Sequence, residues 1–187
     1  MSEYFDQLCK TMKWLGEQPN TIFIGQGVGC AGTSMTDTLK DVAPEKLLEF
    51  PVAENLQMGV AIGMALEGLT PICIFPRWNF LILAADQLVN HLDKLWRYSA
   101  GGYDPKVIIR VMVPSAHPFD PGDQHNGDFS TAFQVLLRHV RVVRLRATAS
   151  IAAEYKKALH VGGSTLLVEY QDHYKVIPSG VKEGAMT

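Results

Sequence analysis

Apolar positions along the chain follow two periods. Over Tyr4–Gly16, Glu54–Leu66, Ala84–Tyr98, Ser130–Leu137 and Ser150–Leu159 they recur at helical spacing. Between these segments stand short β-rich runs at Thr21–Ile24, Lys46–Phe50, Pro71–Phe75, Val107–Val113, Val140–Leu145 and Thr165–Glu169. Six strands interleaved with helices predict a mostly parallel sheet of about six strands covered on both faces, a three-layer α/β/α fold. The run Val107-Ile108-Ile109-Arg110-Val111-Met112-Val113 is almost unbroken apolar sequence, as expected of a strand buried on both sides. Pro76-Arg77-Trp78-Asn79-Phe80 reads as an aromatic turn. With no internal repeat, low-complexity segment or charged linker, residues 1–187 read as one domain with a core over about 4–175. In such sheets ligands lie at the carboxyl ends of the strands, so chemistry is sought in the loops after residues 24, 50, 75 and 113.

Composition narrows the partners. A chain of 187 residues with 47% hydrophobic and 19% charged side chains is more apolar than a solitary domain requires, which points to a buried oligomer interface. A net charge of −2 and no Lys/Arg run beyond two residues argue against nucleic acid or an anionic membrane as partner. No uncharged apolar run is long enough to span a bilayer, and Met1-Ser2-Glu3-Tyr4-Phe5 lacks a basic region before an apolar one, so a cytoplasmic protein is expected. Cys9, Cys30 and Cys73, odd in number and widely spaced, read as core residues of a reducing compartment.

Two candidate sites emerge. Gly27-Val28-Gly29-Cys30-Ala31-Gly32 is a literal G-x-G-x-x-G after a strand, with Glu49 about twenty residues on. Against a dinucleotide site, Gly25 and Gln26 separate it from the strand, and Thr33-Ser34-Met35-Thr36-Asp37-Thr38 starts a helix poorly; a plain glycine loop is the competing reading. The second is Glu54, at the mouth of an apolar, glycine-rich helix. Gly59 and Gly63 share one face of it and allow close approach of a helix or ligand, and Gly68 and Pro71 end it. A first-turn acid is also what a helix dipole favours for purely structural reasons. An apolar setting favours the protonated carboxyl and the dipole the ionised one, so both directions stand at this point.

The blocks Phe50-Pro51-Val52-Ala53-Glu54, Gly59-x-Ala61-x-Gly63-x-Ala65, Gly68-Leu69-x-Pro71-Ile72-Cys73, Asn79-Phe80, Asp86-Gln87-Leu88-Val89-Asn90 and Ser99-Ala100-Gly101-Gly102 keep their order. They resemble the pyrimidine-binding, transketolase-like domain of thiamine diphosphate enzymes, in particular the beta subunits of 2-oxo-acid dehydrogenases of the pyruvate dehydrogenase type. The resemblance implies that Glu54 hydrogen-bonds the cofactor's aminopyrimidine ring and activates it, that Phe80 stacks on that ring, and that Val52 and Trp78 lie against the cofactor. Asp123-Gln124-His125-Asn126-Gly127-Asp128-Phe129 resembles a loop of the same beta subunits that carries an active-site histidine. Its His-Asn-Gly-x-Phe pattern is closer to deoxyxylulose-phosphate synthase. Both parallels make His125 catalytic. Gln124 and His117 are candidate substrate contacts, and His91 reads as an interface or surface residue.

The family holds the cofactor's diphosphate and Mg2+ through Gly-Asp-Gly with a later Asn, and Gly122-Asp123-Gln124 and Gly127-Asp128-Phe129 lack that Asn. The resemblance therefore implies an alpha-type partner subunit bearing the diphosphate-binding domain, in an α2β2 assembly. Family beta subunits continue into a C-terminal domain, whereas this chain ends at Thr187 soon after its last strand. The expectation is a small-molecule reaction in which a 2-oxo acid or ketose is cleaved next to its carbonyl and the fragment is passed on by transketolase-like or acyloin-forming ligation. The alternatives are a 2-oxo-acid dehydrogenase or decarboxylase subunit and, from another class, a non-catalytic nucleotide-binding or regulatory module.

Overall fold

The computed structural model describes residues 1–30, 33–115 and 120–174. Its elements run α1 (Glu3–Gly16), β1 (Thr21–Gly25), β2 (Leu47–Glu49), α2 (Glu54–Leu66), β3 (Thr70–Phe75), α3 (Trp78–Leu83), α4 (Asp93–Tyr98), β4 (Ile108–Val113), α5 (Ser130–Leu136), β5 (Arg141–Arg144), α6 (Thr148–His160) and β6 (Thr165–Tyr170). All six strands join one sheet in the order β2-β1-β3-β4-β6-β5, every pair parallel. The chain steps from β1 outward to β2 and then back across β1 to β3. The sheet order thus reverses between β1 and β3, and a crevice opens at their carboxyl ends.

Helices cover both faces, giving the expected three layers. On one face α1 and α6 bury Leu8, Met12, Leu15, Ile151 and Tyr155 against Phe23, Ile108 and Leu167. Ser2 caps α1, its hydroxyl oxygen accepting from the Phe5 N–H at 3.1 Å. On the other face α2, α3 and α5 bury Met58, Ala61, Trp78, Leu81 and Phe133 against Ile24, Cys73, Ile109 and Leu166. Each such side chain, taken fully from water, stabilises the fold by about 1.5–3 kcal/mol before entropy is charged against it.

Three details differ from the sequence reading. Trp78, Asn79 and Phe80 do not form a turn but open α3, because Trp78 and Leu81 fall on one face of a helical turn and both enter the core. The helix expected over Ala84–Tyr98 passes through a π-helical stretch, Gln87–Leu92, before α4. The wider turn keeps both Leu88 and Leu92 buried and delivers Asp93 to the interior, where its Oδ1 accepts from the N–H groups of Arg138, His139 and Val140 at 2.9, 2.8 and 2.8 Å. Cys30 is exposed rather than in the core; Cys9 and Cys73 are buried.

Arg110 interrupts the apolar run of β4 because a polar cluster waits for it. Its Nε and Nη2 donate to Glu169 Oε1 and Oε2 at 2.7 and 2.9 Å, and Nη2 also donates to the Thr38 hydroxyl at 3.1 Å. The hydroxyls of Tyr155 and Tyr174 donate to the same carboxylate. Burial opposes the Arg110 charge, but Glu169 and its neighbours more than offset it and hold the guanidinium firmly protonated.

Candidate active site

The crevice between β1 and β3 is a cleft of about 400 Å³. Gln26 and Ser34 contribute from the segment after β1, Arg77 and Phe80 from the turn after β3 and the start of α3, Met112 from the end of β4, and Gln171 from beyond β6. Strands β1 and β3 come close there because residue 25 is glycine: a Cβ at Gly25 would lie 2.8 Å from the Ile74 carbonyl oxygen. That Ile74 carbonyl is in turn the anchor of α2. Gln57 Nε2 donates to it at 3.0 Å, and reaches Cys73 Sγ at 3.2 Å. The Gln57 clamp holds the first turn of α2 against the ends of β1 and β3. Burial pushes the Cys73 thiol up to about 12, so it is an inert packing residue.

Glu54 is the first residue of α2 and is only 8% exposed. The preceding Ala53 supplies no side-chain cap, and the Glu54 carboxylate has no hydrogen-bond or ion-pair partner among the described residues. The side chain is largely buried, but its carboxylate oxygens are not among the buried unpartnered atoms and so keep contact with solvent. It is a group left ready for a donor from outside the chain. Phe80 lies near His125, with ring centroids 5.8 Å apart and planes at 57°. His125 is half-buried, and its Nδ1 is itself buried with no hydrogen-bond partner among the described residues. The loop carrying it is shaped locally: Asp120 Oδ1 accepts from Gly122 N–H at 2.8 Å and Asn126 Nδ2 at 2.6 Å, and His125 N–H bonds to Gly122 O at 2.9 Å.

Other expected positions fall elsewhere. Trp78 is 0% exposed and packs its ring on Phe129 and Phe133, so it offers no surface to a ligand and is a core residue. Val52 is 69% exposed and Gln124 is also exposed. His91 is exposed and faces Asp86 at 3.6 Å. His117 lies outside the described residues. Of the G-x-G-x-x-G segment, Ala31 and Gly32 lie outside the described residues; the first described helical residues after it form not an α-helix but a short 3-10 turn, Thr36–Leu39. Glu49 Oε1 and Oε2 already accept from the Gly27 and Gly29 N–H groups at 2.6 and 2.7 Å. Amides that would cradle a dinucleotide phosphate are thus taken by a carboxylate of the same chain. Gly59 faces Gln87, whereas Gly63 faces open space.

Sequence reasoning did not single out Arg77, Ser34, Gln171 or Asn79, whose buried Oδ1 has no partner. For Arg77 the signal was available, a lone cation directly after a strand whose carboxyl end borders the crevice. Nothing in the pattern brings Ser34 and Gln171 together, because 137 residues separate them.

The family model "Transketolase, pyrimidine binding domain" matches residues 10–177. This chain belongs to that family. The pyrimidine-binding domain is 33% identical over 137 residues to the pyruvate dehydrogenase E1 component subunit beta of Gracilaria tenuistipitata var. liui, covering 71% of this chain and 42% of the relative. It is 36% identical over 100 residues to the same subunit of Cyanidium caldarium, covering 51% of this chain and 30% of the relative. The chain therefore matches less than half the length of these relatives. A solved "Split gene transketolase, inactive beta4 tetramer" superposes with a TM-score of 0.69 at 20% identity, over 90% of this chain and 51% of the other. That likeness establishes the shared α/β fold.

Proposed function

We propose that this pyrimidine-binding domain is one half of a thiamine diphosphate-dependent enzyme that cleaves the C–C bond beside the carbonyl of a 2-oxo acid or ketose and passes the fragment to an acceptor. The observation that carries the reading is Glu54, a largely buried residue at the head of α2 whose carboxylate has no partner among the described residues. The residues fit the cofactor's pyrimidine end: Glu54 would take a hydrogen bond from a ring nitrogen, Phe80 would lend an aromatic face, and the His125 ring would lie beside Phe80. When bound, thiamine diphosphate supplies a nucleophilic carbon and an electron sink for the cleaved bond.

The chain's own residues have the following tasks. Glu54, held at the head of α2 by the Gln57 clamp one turn away, would hold or release a proton at the pyrimidine ring. Phe80 sets the plane of that ring, and its contact with His125 keeps the imidazole at the cleft. His125, whose ring lies against Phe80, would exchange a proton with a substrate oxygen. The diphosphate and its Mg2+ belong to an alpha-type partner subunit, in an α2β2 assembly. We favour ketol or acyloin transfer, because His125-Asn126-Gly127-x-Phe129 resembles the deoxyxylulose-phosphate synthase loop. The second reading, a 2-oxo-acid dehydrogenase beta subunit, is supported by the 33% identity with a pyruvate dehydrogenase beta subunit.

The test is to purify the chain natively from its source, identify any stoichiometric partner by mass spectrometry, and assay the pair with thiamine diphosphate and Mg2+. The expected partner carries Gly-Asp-Gly with a later Asn, and the pair either transfers a ketol group or decarboxylates a 2-oxo acid, which separates the two readings. A chain that emerges alone, as a homo-oligomer indifferent to the cofactor, sinks both and leaves a regulatory module.

A further inference from the structure

The cleft has a charge pattern of its own, and neither Glu54 nor His125 is among the residues that line it. Arg77 ends the turn after β3 and is half-buried in the cleft wall, yet its guanidinium has no hydrogen bond, ion pair or ring contact among the described residues. Arg110, also arginine, is by contrast matched to Glu169. None of the residues lining the cleft is acidic, and Glu49, which reaches the same β1 loop, is committed to the Gly27 and Gly29 amides.

The hydroxyls can be assigned by counting protons. Thr36 gives its only hydroxyl proton to Gly27 O at 2.7 Å, so in the Thr33–Thr36 contact at 2.8 Å the Thr33 hydroxyl must be the donor. Thr33 therefore has no proton left for a ligand. Ser34 differs. Its oxygen accepts from Gln171 Nε2 at 3.2 Å, and its own proton is uncommitted among the described residues. Gln171 is fixed in turn, its Oε1 accepting from Ser115 N–H at 3.1 Å. One mobile-proton donor and one planar five-donor cation, with no acceptor charge opposing them, form a site for an anion.

We propose that Arg77 and Ser34 form an anion-binding subsite that holds the charged end of the substrate, a carboxylate or a phosphate, in the cleft beside Phe80. The subsite rests on the functional reading above for its role, but not for its existence. Arg77 is the specificity-determining residue: its fork pairs two oxygens of the anion, and Ser34 donates to one.

The test uses the purified full chain without thiamine diphosphate. Inorganic phosphate and pyruvate are titrated separately while the backbone amide resonances of Gln26, Ser34 and Arg77 are followed by NMR. Saturable shifts confined to the cleft are expected with at least one anion. Affinity should fall about tenfold or more in Arg77→Gln and less in Ser34→Ala, and should be unchanged in Lys10→Gln, which removes the same charge from the α1 surface. Arg77→Lys, which keeps the charge but loses the fork, should fall between wild type and Arg77→Gln, and serves if Arg77→Gln does not fold. Tighter phosphate binding assigns a phosphorylated sugar, tighter pyruvate binding a 2-oxo acid. No saturable shift, or equal affinity in Arg77→Gln and Lys10→Gln, overturns the subsite. That outcome leaves the cofactor reading untouched, since the titration contains no cofactor, while loss of the cofactor reading would leave an anion isotherm in place.

Discussion

Glu169 and Glu54 are both buried carboxylates, set on opposite faces of one sheet. Glu169 receives two guanidinium nitrogens and two tyrosine hydroxyls, all supplied by its own chain. Glu54 receives nothing from the described residues. Low exposure of the residue is therefore not what separates the two acids; the supply of partners from the chain is. A carboxylate satisfied on all sides contributes to the fold and is closed to chemistry, whereas one left without protein donors is open to a ligand.

The sharpest way to break this comparison is to remove each carboxylate in turn. Glu169→Ala strands the Arg110 charge in the interior and should destabilise the chain by about 3–5 kcal/mol, read as a lowered urea midpoint. Glu54→Gln keeps the shape and removes a charge that none of the described residues pairs. Stability should shift by no more than about 0.5 kcal/mol, while turnover of the reconstituted pair should fall about a hundredfold or more. A large loss of stability in Glu54→Gln would make Glu54 structural and defeat the comparison.

Asp93 sharpens it as an intermediate case, a buried acid whose donors are backbone amides rather than charges. Asp93→Ala should cost about 1–3 kcal/mol by orphaning the N–H groups ahead of β5, with faster hydrogen exchange at residues 138–140 as its signature. The smallest effect is alkaline. Burial raises Cys73 from 9.0 to about 12 and holds Tyr155 and Tyr174 well above 10.0. A group whose folded value is raised contributes stability that is complete below its unfolded value and is lost as pH climbs toward the folded one. The thermal midpoint should be flat up to about pH 9, then fall, each group contributing at most about 1.4 kcal/mol per pH unit. Cys73→Ala should flatten the first part of that fall, leaving the Cys9 thiol, also raised by burial, as the contributor before the tyrosines begin at about pH 10.

The layers of the fold were legible because strand and helix periods are local properties of neighbouring residues. Thr21–Ile24, Pro71–Phe75 and Glu54–Leu66 needed at most one residue of adjustment to become β1, β3 and α2. Where two local signals overlapped, the reading slipped. The aromatic cluster at 78–80 suggested a turn, but packing against Phe129 and Phe133 made Trp78 a helix residue of the core. The π-helical turn at Gln87–Leu92 has no local signature, because what selects it is the distant demand of residues 138–140 for the Asp93 carboxylate.

The same division runs through the site. The sequence by itself determined that Glu54 would head an apolar helix at the carboxyl end of a parallel sheet, since helix starts and strand ends are written in adjacent residues. It also placed His125 in a loop at that end, whereas Phe80, read as part of a turn, opens α3. Only the tertiary structure decided which polar groups find partners: that Glu49 occupies the glycine amides, that Gln171 takes up Ser34, that Arg110 is matched and Arg77 is not. Satisfaction of a buried or half-buried polar group depends on atoms brought together from distant parts of the chain, and no window along the sequence contains them.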